Sequence, residues 1–268
     1  MGRLVPFAVS VLLALAAGCA GSAVKTPTPA AQFRSAHFET DPPIPGERYY
    51  IMVFGSQSNP KVARYTHTWA TVVRVNVDPV APPVMEAHTI SWMPATLDIH
   101  PWRFTVEKGV NLKLDETIHD SLGKKEHISM WGPYELRRGS YRKFLLQKIF
   151  MESGQVGYQC IDTVGEAGRT GNGCNCIHAI TDMDALFDRG AYPLAYFGEA
   201  ASDHMVGQYV SRVALITHTT THGWLVGALN LDKYPIETRV YVPRRRLLAP
   251  PPAPSSWDAI GQATAGSP

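Results

Sequence analysis

A cysteine at the start of a predicted helix is the residue of this sequence best placed to do chemistry. Asn175 is a good N-cap residue, so Cys176 becomes the first residue of that helix. A thiol there lies against the positive end of the helix dipole and beside unpaired backbone N–H groups, which both favour the nucleophilic thiolate. The alternative is a buried, inert Cys176, or one joined in a disulfide to Cys160 or Cys174.

A thiol nucleophile also needs a general base, and His178 is its nearest histidine along the chain. Two residues along a helix correspond to about 200° around it, so the His178 ring points away from the thiol. His67 and His88 instead lie on two predicted strands that can pair as a hairpin. One register puts both rings on the same face, and a shift by one residue puts them on opposite faces. Contact between the two rings therefore requires a bulge or an asymmetric loop.

The order of these residues resembles that of circularly permuted papain-like proteins, the NlpC-type cell-wall peptidases and their permuted relatives. His67 begins a strand, His88 lies on the next strand, and Asn175-Cys176 opens a later helix. The resemblance covers residues 66–187. It implies a catalytic triad in which Cys176 is the nucleophile, His67 is the base, and His88 orients the imidazole.

The activity implied by this resemblance is that of an exported thiol hydrolase or acyltransferase. Its substrate would be an amide, such as a peptidoglycan stem peptide, or an ester, such as that of a lipid, and no cofactor is expected. The backbone N–H of Cys176 would face the oxyanion, with Tyr158 suggested as a second donor. The alternative function is a non-catalytic cell-envelope lipoprotein that acts as a binding or structural module.

The amino terminus predicts export. Residues 4–17 are almost wholly apolar, a length typical of a signal-peptide core and short for a membrane span. The following Ala16-Ala17-Gly18-Cys19 is similar to a lipoprotein box, which implies lipidation at Cys19; the alternative is an ordinary secretory signal cleaved nearby. Ala20 and Gly21, rather than Asp, follow the cysteine, and the resemblance to sorted lipoproteins then implies the periplasmic face of an outer membrane.

Export to an oxidising compartment would allow two of the remaining cysteines to form a disulfide. With Cys19 lipidated, three cysteines remain, so an oxidising compartment leaves one pair at most and one free thiol. A bond between Cys174 and Cys176 would be strained. Cys160 and Cys174 are therefore predicted to lie close enough to pair, which leaves Cys176 free.

The amino-acid composition along the chain predicts the domain organisation. The chain has 268 residues with 45% hydrophobic and 18% charged residues, which predicts a folded domain. The net charge is +2 and the basic residues are unclustered apart from 244–246, so nucleic acid is not a predicted partner. The membrane is a predicted partner, through the lipid anchor. The predicted segments are a signal peptide (1–18), a flexible lipidated tether (19–46), the papain-like domain (47–248) and a disordered Pro/Ala-rich tail (249–268).

The hydrophobic pattern predicts an α+β fold with an antiparallel sheet packed against helices, in a permuted papain-like core. Strands are predicted over 49–55, 66–75 and 84–92, helices over 133–153 and from Cys176 onward, and strand-like runs over 210–221, 224–229 and 238–242. Residues 94–132 are predicted to lack regular secondary structure. His218 and His222 have the spacing of two helical metal ligands, but the three threonines between them favour a strand, so no metal site is predicted.

Overall fold

A computed structural model describes residues 41–76, 84–161, 172–184, 197–211 and 215–242. The predicted signal peptide, the lipidation site, most of the tether and the tail lie outside the described residues. Within those residues, no helix is both long enough and apolar enough to cross a membrane.

The described segments contain ten strands, five α-helices and one 3₁₀ turn at Ala63–Tyr65. The strands are β1 (Glu47–Gln57), β2 (Thr66–Asn76), β3 (Val84–Ile90), β4 (Trp92–Pro94), β5 (Gly109–Asn111), β6 (His127–Leu136), β7 (Gly157–Tyr158), β8 (Gly173–Cys174), β9 (Ile216–His218) and β10 (Ile236–Arg239). The helices are α1 (Leu114–Gly123), α2 (Arg138–Glu152), α3 (Cys176–Thr181), α4 (Glu199–Ser211) and α5 (Trp224–Ala228).

The main sheet has the strand order β10-β6-β1-β2-β3, with β9 added to β6. Its pairs are antiparallel except for β10, which runs parallel to β6. This arrangement confirms the α+β class with an antiparallel sheet. Two small sheets, β4-β5 and β7-β8, lie outside the main one.

The long strands β1 and β2 bury both of their faces. On one face Phe54 and Trp69 stack with ring centroids 5.1 Å apart, in a cluster that also contains Ile118 of α1. On the other face Ile51 and Val72 belong to a second cluster, which includes residues of α2, α3 and α4. Side chains alternate between the faces of a strand, so each odd or even position of β2 is assigned to one of these two clusters.

The stretch 94–132, predicted to be irregular, contains β5, α1 and the first half of β6. Strand β6 then continues through Pro133, where the sequence predicts a helix that in the structure begins only at Arg138. A proline is tolerated there because the ladder with β1 shifts register between Ile51 and Val53, next to Gly132 at a φ of +96°.

Two further predictions from the carboxy-terminal half are wrong. Residues 224–229, predicted to be a strand, form helix α5, because a short apolar run fits either structure. Helix α4 was not predicted, and it covers the start of the strand-like run at 210. Small and polar residues dominate α4, so its buried stripe does not stand out from the pattern.

Candidate active site

Helix α3 begins where the sequence predicts. The Asn175 side-chain oxygen accepts a hydrogen bond from the His178 backbone N–H at 2.8 Å, and the helix runs from Cys176 to Thr181. The Asn175 amide nitrogen also donates to the Cys160 carbonyl oxygen at 3.2 Å. Asn175 is therefore confirmed as the N-cap, and it ties the thiol-bearing helix to the segment that follows β7.

The expectation that this helix start makes Cys176 a thiolate is wrong for this structure. Only 9% of Cys176 is exposed, and burial raises the pKa of its thiol to about 12. The backbone N–H groups of Thr68, Cys176 and Ile177 act in the opposite direction by stabilising the thiolate. Burial outweighs them, so the resting form is the neutral thiol.

His67, near the start of β2, is also buried and neutral. It is 3% exposed and its ring stacks on Trp69, with centroids 5.4 Å apart. Burial and, to a smaller extent, the nearby Lys124 ammonium together lower the pKa of His67 to about 3. Its Nε2 atom lies 2.8 Å from Ser91 Oγ, whereas the buried Nδ1 atom has no hydrogen-bond partner among the described residues.

The Cys176 thiol and His67 are both near one open edge of the sheet, at the start of β2. Strand β3 pairs with β2 only from Ala70 onward, so within the described chain the first residues of β2 have no strand neighbour on that side. The backbone N–H of Thr68, in this part of β2, is close enough to the Cys176 sulfur to stabilise its thiolate. Ser91, which contacts the His67 ring, follows the end of β3 at the same edge. No hydrogen bond joins the sulfur to the His67 Nδ1 atom.

The structure does not place His88 behind His67. His88 pairs opposite Val72 without a bulge, a register that puts the two histidines on opposite faces of the sheet. The His88 Nε2 atom instead contacts the Glu86 carboxylate at 2.7 Å. Ser91 takes the position that the sequence analysis gave to His88.

Sequence reasoning missed Ser91 because it searched for a second ionisable side chain. Ser91 could have been found from the alternation of side chains along β3, once the register with β2 was known. The hydroxyls of Thr71 and Thr89 hydrogen-bond at 2.9 Å on the His67 face, and Ser91 is the next residue on that face.

A residue of helix α1, Thr117, hydrogen-bonds to the Ser91 side chain. The Thr117 hydroxyl donates toward two acceptors, Ser91 Oγ and the Lys113 carbonyl oxygen, each at 2.8 Å. Ser91 and Thr117 are both buried, and the Ser91 backbone N–H is bound by the Asn111 side chain at 2.7 Å. The partner of the imidazole is therefore fixed by bonds from two directions.

Tyr158 lies beside the thiols, but its hydroxyl is already engaged. It lies 3.5 Å from the Cys160 sulfur, and burial raises the Tyr158 pKa well above its usual value, with Cys176 and Cys160 adding to the effect. Tyr158, suggested from the sequence as the second oxyanion donor, thus lies near Cys176, but its hydroxyl contacts Cys160.

Cys160, Cys174 and Cys176 carry thiols in the structure, and the ability of Cys160 and Cys174 to pair stays a prediction. The segments that carry them are neighbours, because β7 pairs with β8 and the Gln159 N–H donates to the Cys174 carbonyl oxygen at 3.1 Å. Cys160 is also close enough to Cys176 to raise the pKa of its thiol.

The thiols of Cys160, Cys174 and Cys176 can be counted. We expect a chain carrying Cys19→Ser, denatured without reductant, to release three equivalents in an Ellman's assay. The same sample after reduction provides the reference value. A single equivalent before reduction would show that two of the cysteines are paired, and peptide mapping would identify them.

Comparison of the chain with models of known protein families, with curated proteins and with solved structures gave no match.

No group of three or more His, Cys, Asp or Glu residues among the described positions could hold a metal ion. His218 lies in strand β9, opposite Glu135. The His222 ring packs against Tyr50, with centroids 4.8 Å apart. The pair at 218 and 222 is thus held by the sheet and by an aromatic contact. The basic run at 244–246 lies outside the described residues.

Proposed function

We propose that this protein is an exported thiol hydrolase or acyltransferase that acts on an amide or ester through Cys176 and His67. One observation carries the proposal. The buried imidazole is fixed on its Nε2 side by Ser91 and its Nδ1 atom has no partner among the described residues, while the Cys176 thiol lies near the backbone N–H of the next residue, Thr68. A permuted papain-like core, as the resemblance implies, would account for this order of residues.

The tautomer with its proton on Nε2 suits this chemistry. In that form the Nε2–H donates to Ser91, and Nδ1 is a bare lone pair. The opposite tautomer would bury an N–H on Nδ1 without an acceptor, which costs more than an unused lone pair. The triad is therefore proposed as Cys176, His67 and Ser91, with Ser91 as the positioning residue.

The reaction would follow from these positions. The Cys176 sulfur attacks the carbonyl carbon as the thiol proton passes to His67 Nδ1, and the resulting imidazolium protonates the leaving amine or alcohol. Water, or an acceptor alcohol or amine, then gives its proton to Nδ1 and attacks the thioester, and Cys176 leaves as the thiol. Because both groups are neutral at rest, proton transfer accompanies attack rather than preceding it.

Trapping the thioester tests this function directly. Incubation with p-nitrophenyl acetate at neutral pH should place an acetyl group on the peptide that contains Cys176, as read by mass spectrometry of the acid-quenched protein. A Cys176→Ser chain supplies the control. Acetylation confined to lysines, or equal on Cys160 and Cys176, would argue against a dedicated nucleophile.

Ser91 and His88 give a matched comparison of the two candidates for the third position. Ser91→Ala should lower the rate of ester hydrolysis by roughly tenfold or more, because the imidazole loses its Nε2 partner and its preferred tautomer. His88→Ala should leave the rate unchanged, since its ring bonds Glu86 on the other face. The pH profile of kcat/KM should shift for Ser91→Ala alone, and the reverse ranking would restore His88 to the site.

A second candidate function is a non-catalytic lipoprotein of the cell envelope. It is favoured by the thiol pKa of about 12 and by the missing hydrogen bond between the sulfur and the His67 ring. Both candidates retain the proposed lipid anchor at Cys19, on the periplasmic face of an outer membrane. Mass spectrometry of the mature amino terminus tests that anchor separately, and peptidoglycan is a proposed partner of either form.

A further inference from the structure

The loop between β4 and β5 presents its largest apolar side chains to solvent. Trp102 is 82% exposed and Phe104 is 74% exposed, with Val62 and Val106 partly exposed in the same region. We call these four residues the aromatic rim. Exposed apolar clusters of this kind on a folded domain mark sites of interaction.

The loop is held firmly, so the exposure of its aromatic residues does not come from a loose segment. The Gln159 side chain donates to the Phe104 carbonyl oxygen at 2.8 Å, and the Lys124 ammonium donates to the Leu97 carbonyl oxygen at 2.5 Å. Glu107 and Tyr158 exchange two backbone hydrogen bonds, at 2.9 and 2.8 Å. The rim residues are thus presented outward by a backbone anchored at both ends.

These anchors also place the rim beside the candidate active site. Gln159 and Tyr158 directly precede Cys160, and Lys124 is the cation that lowers the pKa of His67. A groove of about 520 Å³ connects Val62 with Trp102 and includes Arg64, two residues before the start of β2. A surface bound to the rim would therefore lie next to the start of β2, which carries His67.

The groove has few groups that could recognise a sugar or a peptide backbone. Its lining consists of Val62, Ala63, Arg64, Ile99, His100, Pro101, Trp102 and Arg103, without a serine, threonine, asparagine or glutamine. Its polar side chains, Arg64, His100 and Arg103, are already engaged by Asp98 and Glu107, so few groups remain for sugar hydroxyls. Aromatic and aliphatic side chains flanked by arginine are instead typical of the interface between lipid headgroups and acyl chains.

The charges around the rim are compatible with anionic headgroups. Lys61, Arg64 and Arg103 lie in this region together with two acids, Asp98 and Glu107. Each acid forms an ion pair with one of the arginines, Asp98 with Arg64 at 3.3 Å and Glu107 with Arg103. The cations exceed the acids by one, so electrostatics should add only modestly to the burial of apolar area.

From these contacts we propose that the aromatic rim is a membrane-docking surface that inserts Trp102 and Phe104 into the interface of a phospholipid bilayer. This goes beyond the proposed function, because docking requires no chemistry at Cys176. If that function also holds, its substrate bond would be presented at the bilayer surface.

Vesicle sedimentation tests the surface without the predicted anchor. All chains carry Cys19→Ser and lack residues 1–18, so that neither a lipid nor the apolar leader adds affinity. The probe is vesicles of phosphatidylcholine, alone or with an equal part of phosphatidylglycerol. The Trp102→Ser/Phe104→Ser chain should bind about tenfold or more weakly than the parent, because two large side chains no longer leave water.

A matched control removes exposed apolar area elsewhere. Ile149→Ser/Trp224→Ser, on α2 and α5, should bind the vesicles like the parent. Adding Cys176→Ser to the parent should also leave binding unchanged, which separates this proposal from the enzymatic one. Equal binding by the rim variant and the parent, or retention of the parent by purified peptidoglycan but not by vesicles, would overturn the membrane assignment.

Discussion

Cys176→Ala is expected to abolish thiol-dependent ester hydrolysis, with a loss of roughly 10³-fold or more. The effect is large because the sulfur is the group that would form the covalent intermediate, and water alone must then attack the substrate. Cys176 is largely buried and Ala is smaller, so some loss of stability accompanies the change. Activity should therefore be measured well below the melting temperature of the variant, with circular dichroism as the check on folding.

Cys160→Ala provides the matched thiol control. Cys160 is the neighbouring free cysteine, it contacts Tyr158, and it has no assigned part in the reaction. Its loss should leave most of the activity. Equal activity in the Cys176→Ala chain and the parent would reject the enzyme and leave the non-catalytic envelope module as the function to pursue.

The acid stability of the protein should depend on His67. The unfolded chain takes up a proton on this residue near pH 6.5, whereas in the folded protein burial lowers the pKa to about 3. Its contribution to stability is therefore complete above about pH 6.5 and is lost as the pH falls toward 3. Within that window, the free energy of unfolding should decline by up to about 1.4 kcal/mol per pH unit from this one group.

His67→Gln separates this titration from the packing of the ring. Glutamine does not ionise and retains a polar group for Ser91, so its packing defect beside Trp69 should be independent of pH. Urea unfolding of both chains between pH 7 and pH 4 (about half a unit per step) gives the difference curve. That difference should shrink as the pH falls. Parallel curves would mean that the imidazole gains access to water in the folded protein. Alanine is the wrong probe here, because removing a buried ring also empties part of a core.

The local signals of the sequence led to correct predictions where one element decides the outcome. Asn175 caps α3, and the two long strands begin and end close to their predicted limits, because capping and alternation act over a few residues. The pairing of β2 with β3 was harder to predict. It depends on a long connection, and a shift of one residue decides whether His88 or Ser91 faces the imidazole.

Burial was the other property that the sequence pattern could not supply. An N-cap and a helix dipole predict a lowered thiol pKa for Cys176, but they say nothing of the layers packed around it. Strand β2 and the Tyr158 segment cover the thiol, and desolvation then outweighs three favourable N–H groups. Helix α1, absent from the sequence prediction, likewise supplies the Thr117 hydroxyl behind Ser91.

The first turn of α1 would make the proposed chemistry at His67 sensitive to a solvent-exposed residue. The Glu116 carboxylate caps this helix by accepting the Lys113 backbone N–H at 2.9 Å. The carbonyl of that same Lys113 is an acceptor for Thr117, which in turn holds Ser91. Fraying of this end of α1 would release Thr117 and leave the His67 ring free to exchange tautomers. A change at Glu116, several bonds from any substrate, could thus alter which ring nitrogen carries the proton without altering the site itself.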